Sequence, residues 1–141
     1  MGFTMRGQPL PKQNHISRYC PPKTAQDGQP TGASFMLRPS DKSLSVNWME
    51  FFGAIGMDAQ INKIRECIEL SLAATGLFAV LNVGEIFDQV QRNSERQLAV
   101  LYEPTPGDPS HSGVYGYRYE DDLVADLIAE FVLITYPAKK T

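Results

Sequence analysis

Between residues 44 and 52 the chain reads LSVNWMEFF, and its side chains alternate. Leu44, Val46 and Trp48 fall on one side, and Ser45, Asn47 and Met49 on the other. A period of two predicts a half-buried strand. ASFMLRP, residues 33–39, reads as another strand, and the polar link SDKS between the two predicts a hairpin. Earlier, NHISRYC (14–20) reads as an extended segment. Pro21 and Pro22 stop it, since the residue before a proline is kept out of the helical region. LFAVLNV (77–83) has the apolar run of a buried strand, and LAVLYEP (98–104) is a strand that proline ends.

A different period governs two other stretches. Ile61, Ile64, Ile68 and Leu72 recur at spacings of three and four, which predicts an amphipathic helix over 58–75 with Asp58 as its N-cap and Gly76 at its stop. Leu123, Val124, Leu127, Ile128, Phe131 and Val132 form the apolar face of a second helix over 120–135. Glu120, Asp121 and Asp122 stand at its positive end, and Pro137 closes it. Residues 84–97 suit a short helix or a strand. TPGDPSHSGVYGYRYED (105–121) reads as a long loop, with Asp27-Gly28 a turn signal in another loop upstream. The fold expected is α+β: a small, mostly antiparallel sheet with two main helices packed on one face. Residues 1–13 read as a flexible N-terminal arm, 14–137 as a single globular domain and 138–141 as a polar tail.

Composition adds limits rather than a chemistry. At 141 residues the chain suits one domain with a real core. Cys20 and Cys67 are too few for a disulfide framework. The polar, proline-broken start lacks the pattern of a signal peptide, and no apolar run approaches the ~20 residues a bilayer needs, so a cytoplasmic protein without a membrane partner is expected. The net charge of −3 argues against a general nucleic-acid binder. That charge is unevenly spread: residues 1–45 hold six basic and two acidic side chains, the remainder seven and fourteen.

Among groups able to do chemistry, His15 and Cys20 are five apart. That spacing puts them on opposite faces of a strand, about 16 Å apart, and off a common helix face. Cys20 as a nucleophile therefore needs a base from elsewhere, and His111 is the other histidine. No CxxC or HxxxH spacing offers a metal site, and His15, Cys20, Asp108 and His111 would need tertiary folding to meet, so no metal is expected. Asp108, Ser110 and His111 are neighbours on one loop, which does not make a triad, because triads are defined by spatial roles. The loop itself offers Tyr115, Tyr117, Arg118 and Tyr119 as contact area, with Gly113 and Gly116 permitting close backbone approach. Asp122, Asp126 and Glu130 recur every four residues, as on a solvated helix face.

The strings RY, DGQPTGASFMLRP, LSVNWMEFF, LNVGE and DPSHSGVYG together resemble a set of small uncharacterised bacterial proteins with no established activity. The likeness covers residues 14–137 and implies a bacterial, cytoplasmic origin without implying a chemistry.

With no P-loop and no GxGxxG, no cofactor is expected. The leading expectation is a non-enzymatic domain, an adaptor or accessory subunit, that binds another protein through His111, Tyr115, Tyr117 and Arg118, with Arg18 and Tyr19 as further contacts. The rival is an enzyme or binding domain for a nucleotide or other small anion. Arg18 and Arg38 would hold the anion by their guanidinium forks, His111 would act as acid or base, and Cys20 is a further candidate nucleophile. Nucleic-acid contact through the basic first 45 residues is weaker still, and would fade with salt. Convergence of His111, Arg18 and Cys20 in one concave site would favour the rival.

Overall fold

The computed structural model describes residues 5–139. In chain order its elements are β1 (His15–Cys20), β2 (Ala25–Gln26), β3 (Gln29–Pro30), β4 (Leu44–Trp48), α1 (Met57–Cys67), β5 (Leu77–Asn82), α2 (Val83–Asn93), β6 (Ala99–Tyr102), β7 (His111–Tyr115), α3 (Asp122–Glu130) and β8 (Ile134–Pro137). Six strands make one sheet in the order β6-β7-β4-β1-β5-β8, with antiparallel pairing throughout. The fold is α+β. β2 and β3 form a separate small hairpin. Its turn is Asp27-Gly28, both at positive φ (53° and 76°), as a two-residue hairpin requires.

The pleat sorts side chains into two cores. Ile16, Leu44, Val46, Ala79, Leu81 and Val114 point to one face, where α2 (Ile86, Val90) and α3 (Val124, Ile128) cover them. Tyr19, Phe78 and Val80 point to the other face, under α1 (Ile61, Ile64) and Met49. The expected pair of helices on one face is thus corrected: α1 and α3 lie on opposite sides of the sheet. β5 contributes to both cores because alternate residues of a central strand face opposite ways.

Several boundaries also move. α1 stops at Cys67, short of the expected 75, and the stripe's later members, Ile68 and Leu72, pack from a non-helical segment. Gly56, at φ 93°, is its N-cap, with Asp58 inside the first turn. Residues 84–97 hold the larger part of α2, capped by Asn82, whose side chain accepts from the Glu85 amide at 2.8 Å. The expected strand at 33–39 is instead a 3₁₀ turn, Gly32–Phe35, capped by Thr31. Phe35 and Leu37 are buried there without joining the sheet, so β4 has no hairpin partner and pairs with β1 and β7. The second expected helix ends at Glu130; Ile134–Pro137 is an edge strand against β5. The expected 105–121 loop contains β7, an inner strand of the sheet.

Residues 7–10 of the stretch that reads as an arm run along β6. Gly7 and Leu10 donate to Tyr102 and Val100 carbonyls at 2.7 and 2.9 Å, and Leu10 is buried. Residues 1–4 lie outside the described range. Among the described residues no helix is long and apolar enough to cross a membrane.

Candidate functional site

The α1 side of the sheet is only half covered. Over β1 and β5 it is apolar and closed, whereas over β4 and β7 it turns polar: Ser17, Ser45, Asn47 and His111 share that face. A cavity of about 300 Å³ opens there. Its floor is Tyr19, Ser45, Asn47 and His111, its roof is the segment Ile68–Leu70 after α1, and Thr105 and Asp108 from the β6–β7 loop close one end. Two bonds fix the roof. Tyr19 Oη accepts from the Ala73 amide at 2.8 Å, and Thr105 Oγ1 donates to Glu69 Oε1 at 2.6 Å.

Arg18 stands where the β1–β4 ladder ends. Ile16 pairs with Trp48 and Ser17 with Asn47, and beyond them the strands part. The Arg18 side chain fills the gap: Nη1 donates to the Ser45 carbonyl and Nε to the Ser34 carbonyl, both at 2.9 Å. A guanidinium here replaces strand pairing that the separated backbones no longer supply. Burial pushes its pKa below the ordinary value, and no carboxylate lies within 4 Å of it among the described residues. Arg18, Tyr19, Ser45 and Leu70 also line an adjoining hollow that reaches Lys23, Arg38 and Asp41, so the two hollows make one groove with Arg18 at its middle.

His111 is oriented by its backbone surroundings. Its Nδ1 lies 2.8 Å from the Glu103 carbonyl oxygen, which can only accept, so Nδ1 carries the hydrogen. Nε2 of the neutral ring is then an acceptor, 3.2 Å from the exposed Ser45 hydroxyl, which donates to it. Asp108 does not complete a triad. Its buried carboxylate accepts from Asn47 Nδ2 at 2.8 and 3.0 Å; the same Nδ2 donates to Ser110 Oγ at 2.9 Å, and Ser110 Oγ lies 3.5 Å from Oδ1. The Ser17 hydroxyl, in register with Asn47, is buried and has no hydrogen-bond partner among the described residues.

The remaining sequence candidates divide. Arg18, Tyr19 and His111 meet in the cleft. Cys20 does not: it is buried in the opposite core, donates to the Arg18 carbonyl at 3.4 Å, and has its thiol pKa raised by burial, which disfavours a nucleophilic thiolate. Tyr117 is buried in that same core, its hydroxyl donating to the Phe35 carbonyl at 2.5 Å. Tyr115 lies on the cleft side of β7 but donates to the Glu103 carboxylate, a bond that raises its pKa. Arg118 and Tyr119 are exposed beyond the strand. Arg38 pairs with Asp41 at 3.0 Å on the rim of the second hollow. His15 is bound elsewhere, its Nδ1 2.6 Å from Glu50.

Ser45, Asn47 and Glu69 were not among the sequence candidates. For Ser45 and Asn47 the signal existed, since both sit on the polar side of the LSVNW alternation. Glu69 carries no local signal. Gly113 and Gly116 do permit close approach. A side chain at Gly113 would meet the Glu103 carboxylate at 2.5 Å, and one at Gly116 the Gln97 carbonyl at 2.2 Å.

Among the described residues no three His, Cys, Asp or Glu side chains are grouped to hold a metal. No family model matches the chain, and no curated protein or solved structure matches it either.

Proposed function

We propose that the chain is a binding domain for a small anionic ligand, held in the groove over β4. One observation carries the reading: Arg18 on β1, Ser45 on β4 and His111 on β7 come together at one concave site. Arg18 supplies the positive charge. Among the described residues it has no carboxylate partner, and its guanidinium retains donors beyond the two carbonyls it serves. Ser45 is exposed and able to bond a ligand oxygen. Lys23 extends the basic side along the groove, beside the Arg38–Asp41 pair. The protein-interaction alternative has less surface to use, because His111 and Tyr115 are strand residues and Tyr117 is buried; Arg118 and Tyr119 are its exposed remainder.

The test is an NMR titration with acetate and inorganic phosphate, following the His111 ring and Arg18 guanidinium signals. Saturable shifts at both are the expected result, with the Arg18 shift weakened or lost in His111→Ala. If neither anion moves them, the site does not bind small anions.

A second reading is favoured by the Ser45–His111 bond: acid–base chemistry on the bound molecule. Nε2 is placed to take the Ser45 proton, which is how a weak hydroxyl becomes a nucleophile. A fluorophosphonate probe should then label Ser45, and labelling should fall at least ten-fold in His111→Ala. No labelling of a protein that still binds anions leaves a binding domain without this chemistry.

A further inference from the structure

The cleft is charged at both ends, with opposite signs. At one end stands the Arg18 guanidinium, bonded to the Ser45 carbonyl. At the other stands the Asp108 carboxylate, bonded to the Asn47 amide and 3% exposed. No Lys, Arg or His nitrogen lies within 4 Å of Asp108 among the described residues, so the carboxylate is buried with neutral partners alone. A buried charge without its opposite is costly, and a ligand cation would lower that cost. Glu69 adds a second carboxylate on the same side, with one oxygen taken by Thr105. The buried Ser17 hydroxyl, unpartnered beside Asn47, is a further polar group near that end.

We infer that the ligand is a zwitterion, a short amino acid, with its carboxylate on Arg18 and its ammonium on Asp108 and Glu69. This rests on the anion-binding reading and narrows it. β4 sets the scale. Arg18 is anchored at Ser45 and Asp108 at Asn47, two residues apart on β4, or about 7 Å along a strand. Both charged groups border the same cavity, so a short molecule that carries an ammonium and a carboxylate can reach both. The cavity, about 300 Å³, holds a molecule of that size.

Calorimetric titration with glycine, β-alanine, 5-aminovalerate, acetate and methylamine separates the terms. At least one of the three amino acids should bind at least ten-fold tighter than acetate or methylamine, and their order reads out the separation of the two charges. Asp108→Asn should remove that preference without weakening acetate binding, since it takes a like charge away from the anion. Since Asp108 is buried, Glu69→Gln, at an exposed position, is the companion variant, and it should reduce the preference at least three-fold. Acetate binding as tightly as all three amino acids overturns the zwitterion and spares the anion site. Neither acetate nor amino acid binding overturns both. A preference that survives Glu69→Gln and Asp108→Asn together also overturns the assignment of the ammonium.

Discussion

The two faces of the sheet use the same strands for different ends. On the α2–α3 face, Ile16, Leu44, Val46, Leu81 and Val114 are closed over by helices, and the polar groups found there serve internal bonds: Tyr117 holds the Phe35 carbonyl and Cys20 the Arg18 carbonyl. On the α1 face the cover stops after β1, and polar residues of β4 and β7 look into a cavity. One face is rich in what stabilises a fold, apolar area out of water. The other gives up that burial over two strands and, among the described residues, holds a guanidinium without a carboxylate partner and a carboxylate without a cation. A face that only needed to be stable would have filled this space with apolar side chains.

The sharpest way to break the contrast is to damage the closed face alone. Ile128, 1% exposed, packs from α3 onto the sheet. Ile128→Ala should cost about 2–5 kcal/mol, from lost transfer energy plus the cavity left behind. Denaturant unfolding measures it, and anion affinity of the folded fraction should not change. If affinity falls with stability, the two faces are not separate.

Most of the closed face was legible in the sequence, and the open one was not, for one physical reason. Burial on a regular element leaves a period: Leu44, Val46 and Trp48 at two, Val124, Leu127 and Ile128 at three and four. The same signal misleads where burial occurs without regular structure. Phe35 and Leu37 alternate like a strand yet sit in and after a 3₁₀ turn, and Phe131 and Val132 continue the α3 stripe after the helix has ended. The cleft leaves no period, since its parts come from four separated segments. Arg18 and His111 could be named by residue type, but that they meet depends on β1 and β7 flanking β4, a non-local order that spacing does not reveal. Glu69 lies where a helix was expected and serves as roof because α1 ends two residues earlier.

A smaller effect is expected from Asn47→Ala, which tests how much of the polar face is structural. The Asn47 amide is the main donor to the buried Asp108 carboxylate. Leaving that group short of partners should cost about 1–3 kcal/mol, again read by denaturant unfolding. Because the cost comes from an unsatisfied charge, it should shrink in the double variant Asn47→Ala with Asp108→Ala. A cost that stays the same would place Asn47 in packing rather than polar pairing.

On the closed face, Tyr117→Phe should cost about 1 kcal/mol for its bond to Phe35. It also changes the alkaline limb of stability. Burial raises the Tyr117 pKa above its ordinary value, so the folded protein keeps this proton longer than the unfolded chain does. That contribution is complete below about pH 10 and is lost as pH rises through the raised value. Cys20 shifts in the same direction through burial and begins to act nearer pH 9. Unfolding measured at about pH 8 and about pH 10.5 should therefore show a smaller alkaline loss in Tyr117→Phe, with a remainder from Cys20. An unchanged loss would move the alkaline sensitivity to other groups.

The smallest stability effect belongs to the open face, and it decides the comparison. Ser45 is exposed on a central strand, and among the described residues its hydroxyl bonds only the His111 ring. Its carbonyl, which holds Arg18, is backbone and survives substitution. Ser45→Ala therefore removes one solvent-facing hydroxyl and leaves the groove's shape, the Arg18 bond and the His111 anchor on Glu103 in place. Stability should change by no more than about 0.5 kcal/mol, the usual range for surface positions. Anion binding followed at His111 should weaken, because the exposed hydroxyl that can donate to a ligand oxygen is gone. A variant whose stability and binding both match the parent makes Ser45 a bystander. One that loses stability like Ile128→Ala makes the polar face a second scaffold, and its unpaired charges then need another explanation.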